Sequence, residues 1–149
     1  MAHTYSATFF HCVFSTKNRT NIISRELRTK LWDYIGGIAT RNGMRCLRVG
    51  GTANHVHVAI HIPSATSVSK AMQLIKGGSS KWINDHPAQA KFEWQEAYAA
   101  FTIGVSQIPA TLAYIDSQEE HHRRRTFAEE YIAFLKKHGI EYDERYVWG

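Results

Sequence analysis

The chain has 149 residues, enough for one domain with a real core, and 44% hydrophobic with 21% charged residues is ordinary globular composition. Eighteen Lys and Arg against thirteen Asp and Glu leave a formal charge of +5, a modest basic excess that suits a polyanion partner. Two cysteines are too few for a zinc knuckle or a disulfide framework, Met1 to Thr8 lacks the regions of a signal peptide, and no apolar run reaches the roughly 20 residues that span a bilayer, so a cytoplasmic protein is expected.

Tyr5 to Ser15 is rich in aromatic and β-branched residues and reads as a strand, ended by the polar turn Thr16-Lys17-Asn18-Arg19. Ser24 then caps a helix in which Leu27, Leu31, Tyr34, Ile35 and Ile38 recur at helical spacing, with Asn42-Gly43 as its stop after about Arg41. Met44 to Val49 alternates as a strand, Gly50-Gly51 turns the chain, and Asn54 to Ile62 forms the second strand of the hairpin, terminated by Pro63. A second helix starts at Ser67 with Val68, Met72, Ile75 and Trp82 inward, and Trp94 to Gly104 gives a further strand. Ser106 is the expected cap of a third helix carrying Leu112 and Ile115, and a final amphipathic helix runs from about Phe127 to Lys137, ended by Gly139.

Strand, helix, strand, strand, helix, strand is the split βαβ order of an α+β, ferredoxin-like (RRM-like) antiparallel sheet, here with extra C-terminal helices, forming a single domain over residues 1–149. One sheet face is expected to be covered by helices and the other open. Alternation sends Val56, Val58, Ile60 and Ile62 to the covered face and His55, His57 and His61 to the other. Residues two apart on a strand rise about 6.6 Å, so His55 and His57 can share one metal ion, whereas His61 lies about 13 Å beyond His57. On the third helix Tyr114 and Gln118, four apart, stack on one face.

Five stretches, in order, give these residues a common context: Phe14-Ser15-Thr16-Lys17-Asn18-Arg19, Asn54-His55-Val56-His57-Val58, Leu74-Ile75-Lys76-Gly77-Gly78-Ser79-Ser80, Trp94-Gln95-Glu96-Ala97-Tyr98, and Tyr114 to His122. With them the chain resembles the single-tyrosine HUH transposases, the IS200-like family, relatives of the REP-associated tyrosine transposases. It departs from the family's pattern at Ala97, where Gly is usual, and over Ile103-Gly104-Val105-Ser106 in place of Ser-Val-Ser. The resemblance implies that His55, His57 and Gln118 hold a divalent metal, Mg²⁺ or Mn²⁺, and that Tyr114 is the nucleophile that cleaves and rejoins single-stranded DNA, taking the strand as a 5′-phosphotyrosine. Two imidazoles and an amide oxygen would chemically also accept Zn²⁺, Ni²⁺ or Co²⁺, since imidazole is a borderline ligand. The resemblance also implies DNA contacts near the turn Lys17, Asn18, Arg19 and near Lys76, Ser79 and Ser80.

Arg123 and Arg124, in a run of three arginines, are further candidates for phosphate contact. One catalytic tyrosine per chain for two DNA ends points to a homodimer, and the resemblance implies that the tyrosine helix of one chain completes the metal site of the other. Two rivals stand beside this reading. A non-catalytic single-stranded nucleic-acid-binding module would carry exposed aromatics where His55 and His57 lie. A carboxylate nuclease needs acidic groups converging from strands, and none of Asp33, Asp85, Asp116 and Asp143 falls in an expected strand.

Overall fold

The computed structural model describes residues 4–86 and 91–149. Its first six elements are β1 (Phe9–Ser15), α1 (Arg25–Arg41), β2 (Arg45–Gly51), β3 (His55–His61), α2 (Val68–Asn84) and β4 (Ala99–Ile103). The strands form one antiparallel sheet in the order β2-β3-β1-β4, the ferredoxin-like arrangement. Three helices follow: α3 (Ile108–Asp116), the single turn α4 (Gln118–His121) and α5 (Phe127–Lys137). No helix among the described residues is long and apolar enough to cross a membrane.

The helix starts follow local chemistry. Ser24 accepts from the Leu27 amide at 3.1 Å and Ser67 from the Lys70 amide at 3.0 Å, each relieving a donor that the first helical turn leaves unpaired. From α1, Leu27, Leu31, Ile35 and Ile38 pack with Met72, Ile75 and Ile83 of α2 onto Cys12, Phe14, Val56, Val58 and Ile60 of the sheet. Val68 and Trp82 are half-buried at the rim of this core, Trp82 stacked on Tyr34.

Four boundaries differ from expectation by more than a residue. β2 runs on through Gly50 and Gly51, paired with His57 and Val56, before the chain turns. β1 begins at Phe9 rather than Tyr5. β4 begins at Ala99 rather than Trp94, because the carbonyls of Gln95, Glu96 and Ala97 accept from the Lys76 ammonium at 2.7, 2.9 and 3.1 Å instead of joining a ladder. Ser106 does not cap the third helix: it lies inside a 3₁₀ turn, Val105–Gln107, with Pro in the first turn of α3 behind it.

The histidine face of the sheet is not open. Phe127, Tyr131 and Leu135 of α5 pack against Val13, Ala99 and Phe101, a second apolar cluster on the side away from α1 and α2. The strands present enough apolar area there that leaving it in water is costlier than folding a helix across it. His55 and His57 consequently have no exposed surface.

Candidate active site

Register sets the site's frame. Ser15 pairs with His55 and Val13 with His57, and His11, two residues back on β1, projects to the same face. Its Nε2 lies 2.7 Å from His57 Nδ1. Helix α3 reaches this face across β2 because Gly50 has no side chain: a Cβ there would lie 2.7 Å from Ile115 Cγ2. Arg48 pairs with Asp116 at 2.7 Å on the outer side. The expected single helix is broken at Ser117, yet the four-residue relation survives, since the Gln118 amide nitrogen donates to the Tyr114 carbonyl at 3.3 Å.

The amide orientations fix the histidine tautomers inferred from the network. Asn54 Nδ2 donates to the Arg19 carbonyl at 3.3 Å, which turns Asn54 Oδ1 to within 2.9 Å of His55 Nδ1. Nδ1 therefore carries the proton and His55 Nε2 is bare. Gln118, held by Tyr114, aims Oε1 at that bare nitrogen from 2.9 Å and at His122 Nε2 from 3.1 Å. Two lone pairs at such a distance repel unless a positive charge lies between them. Burial and the neighbouring His57 hold the His55 pKa down to about 3, so the charge is not a proton near neutral pH.

Glu130 of α5 supplies the negative charge. Its Oε1 is 3.0 Å from His57 Nε2, 3.2 Å from His122 Nε2 and 3.7 Å from His55 Nε2. Burial works against ionisation, but hydrogen bonds from His122 and His57 prevail and keep its carboxyl well below the usual carboxylate range. Tyr114 donates its hydroxyl to Glu130 Oε2. Burial first, and then that carboxylate, push the Tyr114 phenol above its ordinary value. Burial likewise pushes His11 down to about 3, leaving a neutral ring behind His57. Ligand atoms of His55, His122 and Glu130 lie within 4.8 Å of one another, with Gln118 Oε1 and His57 Nε2 adjoining them. Imidazoles, an amide oxygen and one carboxylate form a donor set that fits a divalent cation.

The expected residues do not all converge. His55, His57, Gln118 and Tyr114 lie close together around Glu130. His61 is apart, its Nε2 on the Ser6 carbonyl at 3.1 Å. Lys17, Asn18, Arg19, Lys76 and Ser80 line one cleft of about 400 Å³ at the end of β1, with Trp94 and Trp148. There the Arg19 guanidinium lies 4.2 Å above the Trp148 ring and Lys17 pairs with Glu93 at 3.1 Å. Burial pushes the Lys76 ammonium down to about 8, opposed by Glu96. Ser79 is a correction: it is buried, donating to the Ile75 carbonyl and accepting from Trp94 Nε1 at 3.0 Å, so it reaches no ligand. Arg123 and Arg124 lie outside the cleft, Arg123 paired with Glu120 at 3.0 Å and Arg124 exposed.

Glu130, His122 and His11 were missed. The signals were present: a lone carboxylate within the apolar stripe Phe127, Tyr131, Phe134, Leu135; a histidine four residues after Gln118; and a histidine alternating with Phe9 and Val13.

Comparison with known proteins places the chain in a transposase family. The family described as "Transposase IS200 like" matches residues 4–118. The chain is similar to the transposase for insertion sequence element IS200 of Salmonella typhimurium, at 28% identity over 110 residues, 70% of this chain and 72% of the relative. It is also similar to the ISDra2 transposase TnpA of Deinococcus radiodurans, at 21% over 117 residues, 74% and 84% of the two chains. Among solved structures, a protein of Deinococcus radiodurans R1 described as a transposase shares the fold with a TM-score of 0.61 at 20% identity, over 79% of this chain and 96% of that one. A REP-associated tyrosine transposase bound to a REP hairpin does so with a TM-score of 0.61 at 13% identity, over 82% and 72%.

Proposed function

The chain belongs to the IS200-like transposase family, and from that premise we propose that it cuts and rejoins single-stranded DNA by tyrosine transesterification, mobilising an insertion sequence. The observation that carries this reading is the joint presence of a phenol, a carboxylate and four imidazole or amide donors around one point in a chain with a basic cleft beside it.

In the proposed reaction Tyr114 Oη attacks a phosphodiester, its bond to phosphorus forms, and the bond from phosphorus to the 3′ oxygen breaks. The strand's 5′ phosphate stays on Tyr114 and a 3′-OH leaves. The phenolic proton passes to Glu130 Oε2, which already accepts it in a hydrogen bond, and the departing oxygen takes up a proton. Because phosphotyrosine keeps the energy of the broken ester, an incoming 3′-OH reverses the step on a new strand without a nucleotide cofactor. His55, His57 and Gln118 would hold a divalent metal, Mg²⁺ or Mn²⁺, with His122 and Glu130 beside them; several imidazoles favour Mn²⁺ of the two. Such an ion supplies Lewis-acid polarisation of the phosphate oxygens. His11 keeps the His57 ring turned toward the cluster, the outer-shell role that orients a ligating histidine.

DNA would run from the Lys17, Arg19 and Lys76 cleft toward Tyr114. The two are linked by a stack in which Trp148 lies 6.0 Å from Phe127 and Phe127 lies 4.4 Å from His55. Arg19 would meet phosphates and Trp148 an unpaired base, while the Lys76 ammonium, held by the carbonyls of Gln95, Glu96 and Ala97, would add positive charge to the cleft. A homodimer provides a second tyrosine for the second DNA end, each site being built within its own chain, and the reaction takes place on cytoplasmic DNA. A silent binding module would not keep a carboxylate against a phenol among buried imidazoles.

The test is incubation with end-labelled single strands from the flanks of the protein's own gene, with Mn²⁺, followed by a denaturing gel. Wild type carries label on a shifted protein band, and Tyr114→Phe, folded as judged by circular dichroism, carries none. Label retained by Tyr114→Phe would move the nucleophile to another residue.

A further inference from the structure

A second cleft, of about 480 Å³, is lined by Tyr114 and opens between β4, the first turns of α3 and the end of α5. Its floor is aromatic: Phe101 lies 4.3 Å from His138 and 5.4 Å from Phe134, each pair within about 22° of parallel. Tyr114 forms one wall, its ring 5.6 Å from Phe134.

The polar groups around this floor are specific. His11 is only 5% exposed and lines the cleft; Nε2 is occupied by His57, while Nδ1 has no protein partner among the described residues. Gln107 uses Oε1 to cap the Gly104 amide at 2.9 Å, which leaves its amide nitrogen at the rim. Lys137 lies at the mouth with no ion pair among the described residues. An aromatic floor, a buried acceptor or donor on one ring nitrogen, an amide and a cation are what a nucleobase with its attached phosphate needs: a face to stack on, edge groups to pair with, and a charge for the backbone. Because Tyr114 itself lines this cleft, the floor is the aromatic surface beside the nucleophile candidate on which a flanking base could stack.

We propose that the cleft bounded by Tyr114, Phe101 and Phe134 is a base-reading subsite that holds the nucleobase flanking the scissile phosphate. The inference rests on the reading of Tyr114 as nucleophile and adds a source of cleavage-site selectivity in the protein itself. His11 joins the two halves, touching the metal-ligand candidate His57 on one edge and the base subsite on the other.

The experiment uses the full chain and a pool of single strands carrying the protein's own gene flanks with the cleavage region randomised. Strands captured on Tyr114 are sequenced. Wild type should capture strands sharing one base beside the linked phosphate, and Gln107→Ala should lose that preference. A captured strand made abasic at that position should fall about tenfold in KM-limited capture, since one stacked base is worth that much or more. Thr111→Trp, which fills the cleft from its α3 wall, should fall by a similar factor with intact DNA and show no further loss with the abasic strand, while its Mn²⁺ affinity by calorimetry stays that of wild type. Capture with no base preference at either flanking position, or equal abasic losses in wild type and Thr111→Trp, would overturn the subsite and leave the nucleophile assignment standing. The abasic strand tests wild type directly, so an unfolded variant does not rescue the idea. No capture of any strand by wild type would overturn the transposition chemistry and the subsite with it.

Discussion

The two faces of one sheet are held by different physics. Toward α1 and α2, Cys12, Phe14, Val56, Val58 and Ile60 meet aliphatic side chains, so each contact is non-directional and any residue of similar volume serves. Toward α3 and α5 the same strands present His11, His55 and His57, whose ring nitrogens make directional contacts with Glu130, Gln118 and one another. A domain can therefore keep its stability on one side of four strands and its chemistry on the other, and damage to each should register in a different measurement.

The sharpest break comes from the histidine face. His57→Ala should abolish covalent capture and weaken Mn²⁺ binding by calorimetry while His61→Ala does neither; equal loss in both would make the face a general DNA surface. With each site built within its own chain, as proposed, a purified heterodimer of His57→Ala with Tyr114→Phe should also stay at background, because each protomer would hold a broken site. Recovered cleavage would mean that α3 crosses between chains when DNA is bound.

Glu130→Gln preserves shape and removes the charge that meets both Tyr114 and the imidazoles. Capture should slow by about a hundredfold, the usual worth of a positioned proton acceptor, measured as single-turnover adduct formation. A rate within twofold of wild type would reduce Glu130 to packing.

On the aliphatic face, Ile35→Ala should cost about 2–5 kcal/mol in urea unfolding, the range for emptying a fully buried aliphatic site, while the capture rate per folded molecule barely changes. A parallel fall in intrinsic rate would show the two faces to be mechanically coupled. The smallest effect is expected at Arg48→Ala, which removes a half-exposed pair with Asp116 beside the tyrosine helix. Its cost should be under about 1 kcal/mol, since exposed pairs contribute little, and Ile115 against Gly50 should keep α3 in place.

How much was legible in the sequence varied with the range of the interaction. Alternation in Val56 to Ile62 and helical spacing in Leu27 to Ile38 are local, and both elements stand as read. The lower half of the expected β4 was misread because Trp94 to Tyr98 has strand composition, while the Lys76 ammonium, nearly twenty residues away, takes its carbonyls. Ser79 looked like a surface hydroxyl beside Lys76 and Ser80, but helical geometry turns it inward onto Trp94. Glu130 illustrates the limit best: its meaning depends on histidines 73 and 8 residues distant in the chain.

The sequence by itself determined the α+β order, the aliphatic core, the histidine pair on one strand face and the tyrosine with its glutamine four residues on. These follow from backbone periodicity, which fixes where neighbouring side chains point. Only the tertiary structure decided that the histidine face is covered, that Glu130, His122 and His11 adjoin the histidine pair, and that α3 packs against Gly50 of β2. Those outcomes depend on how α5 buries its stripe against β1 and β4 and on the space that Gly50 leaves for Ile115. Such packing choices are made between segments far apart in the chain, and no local pattern encodes them.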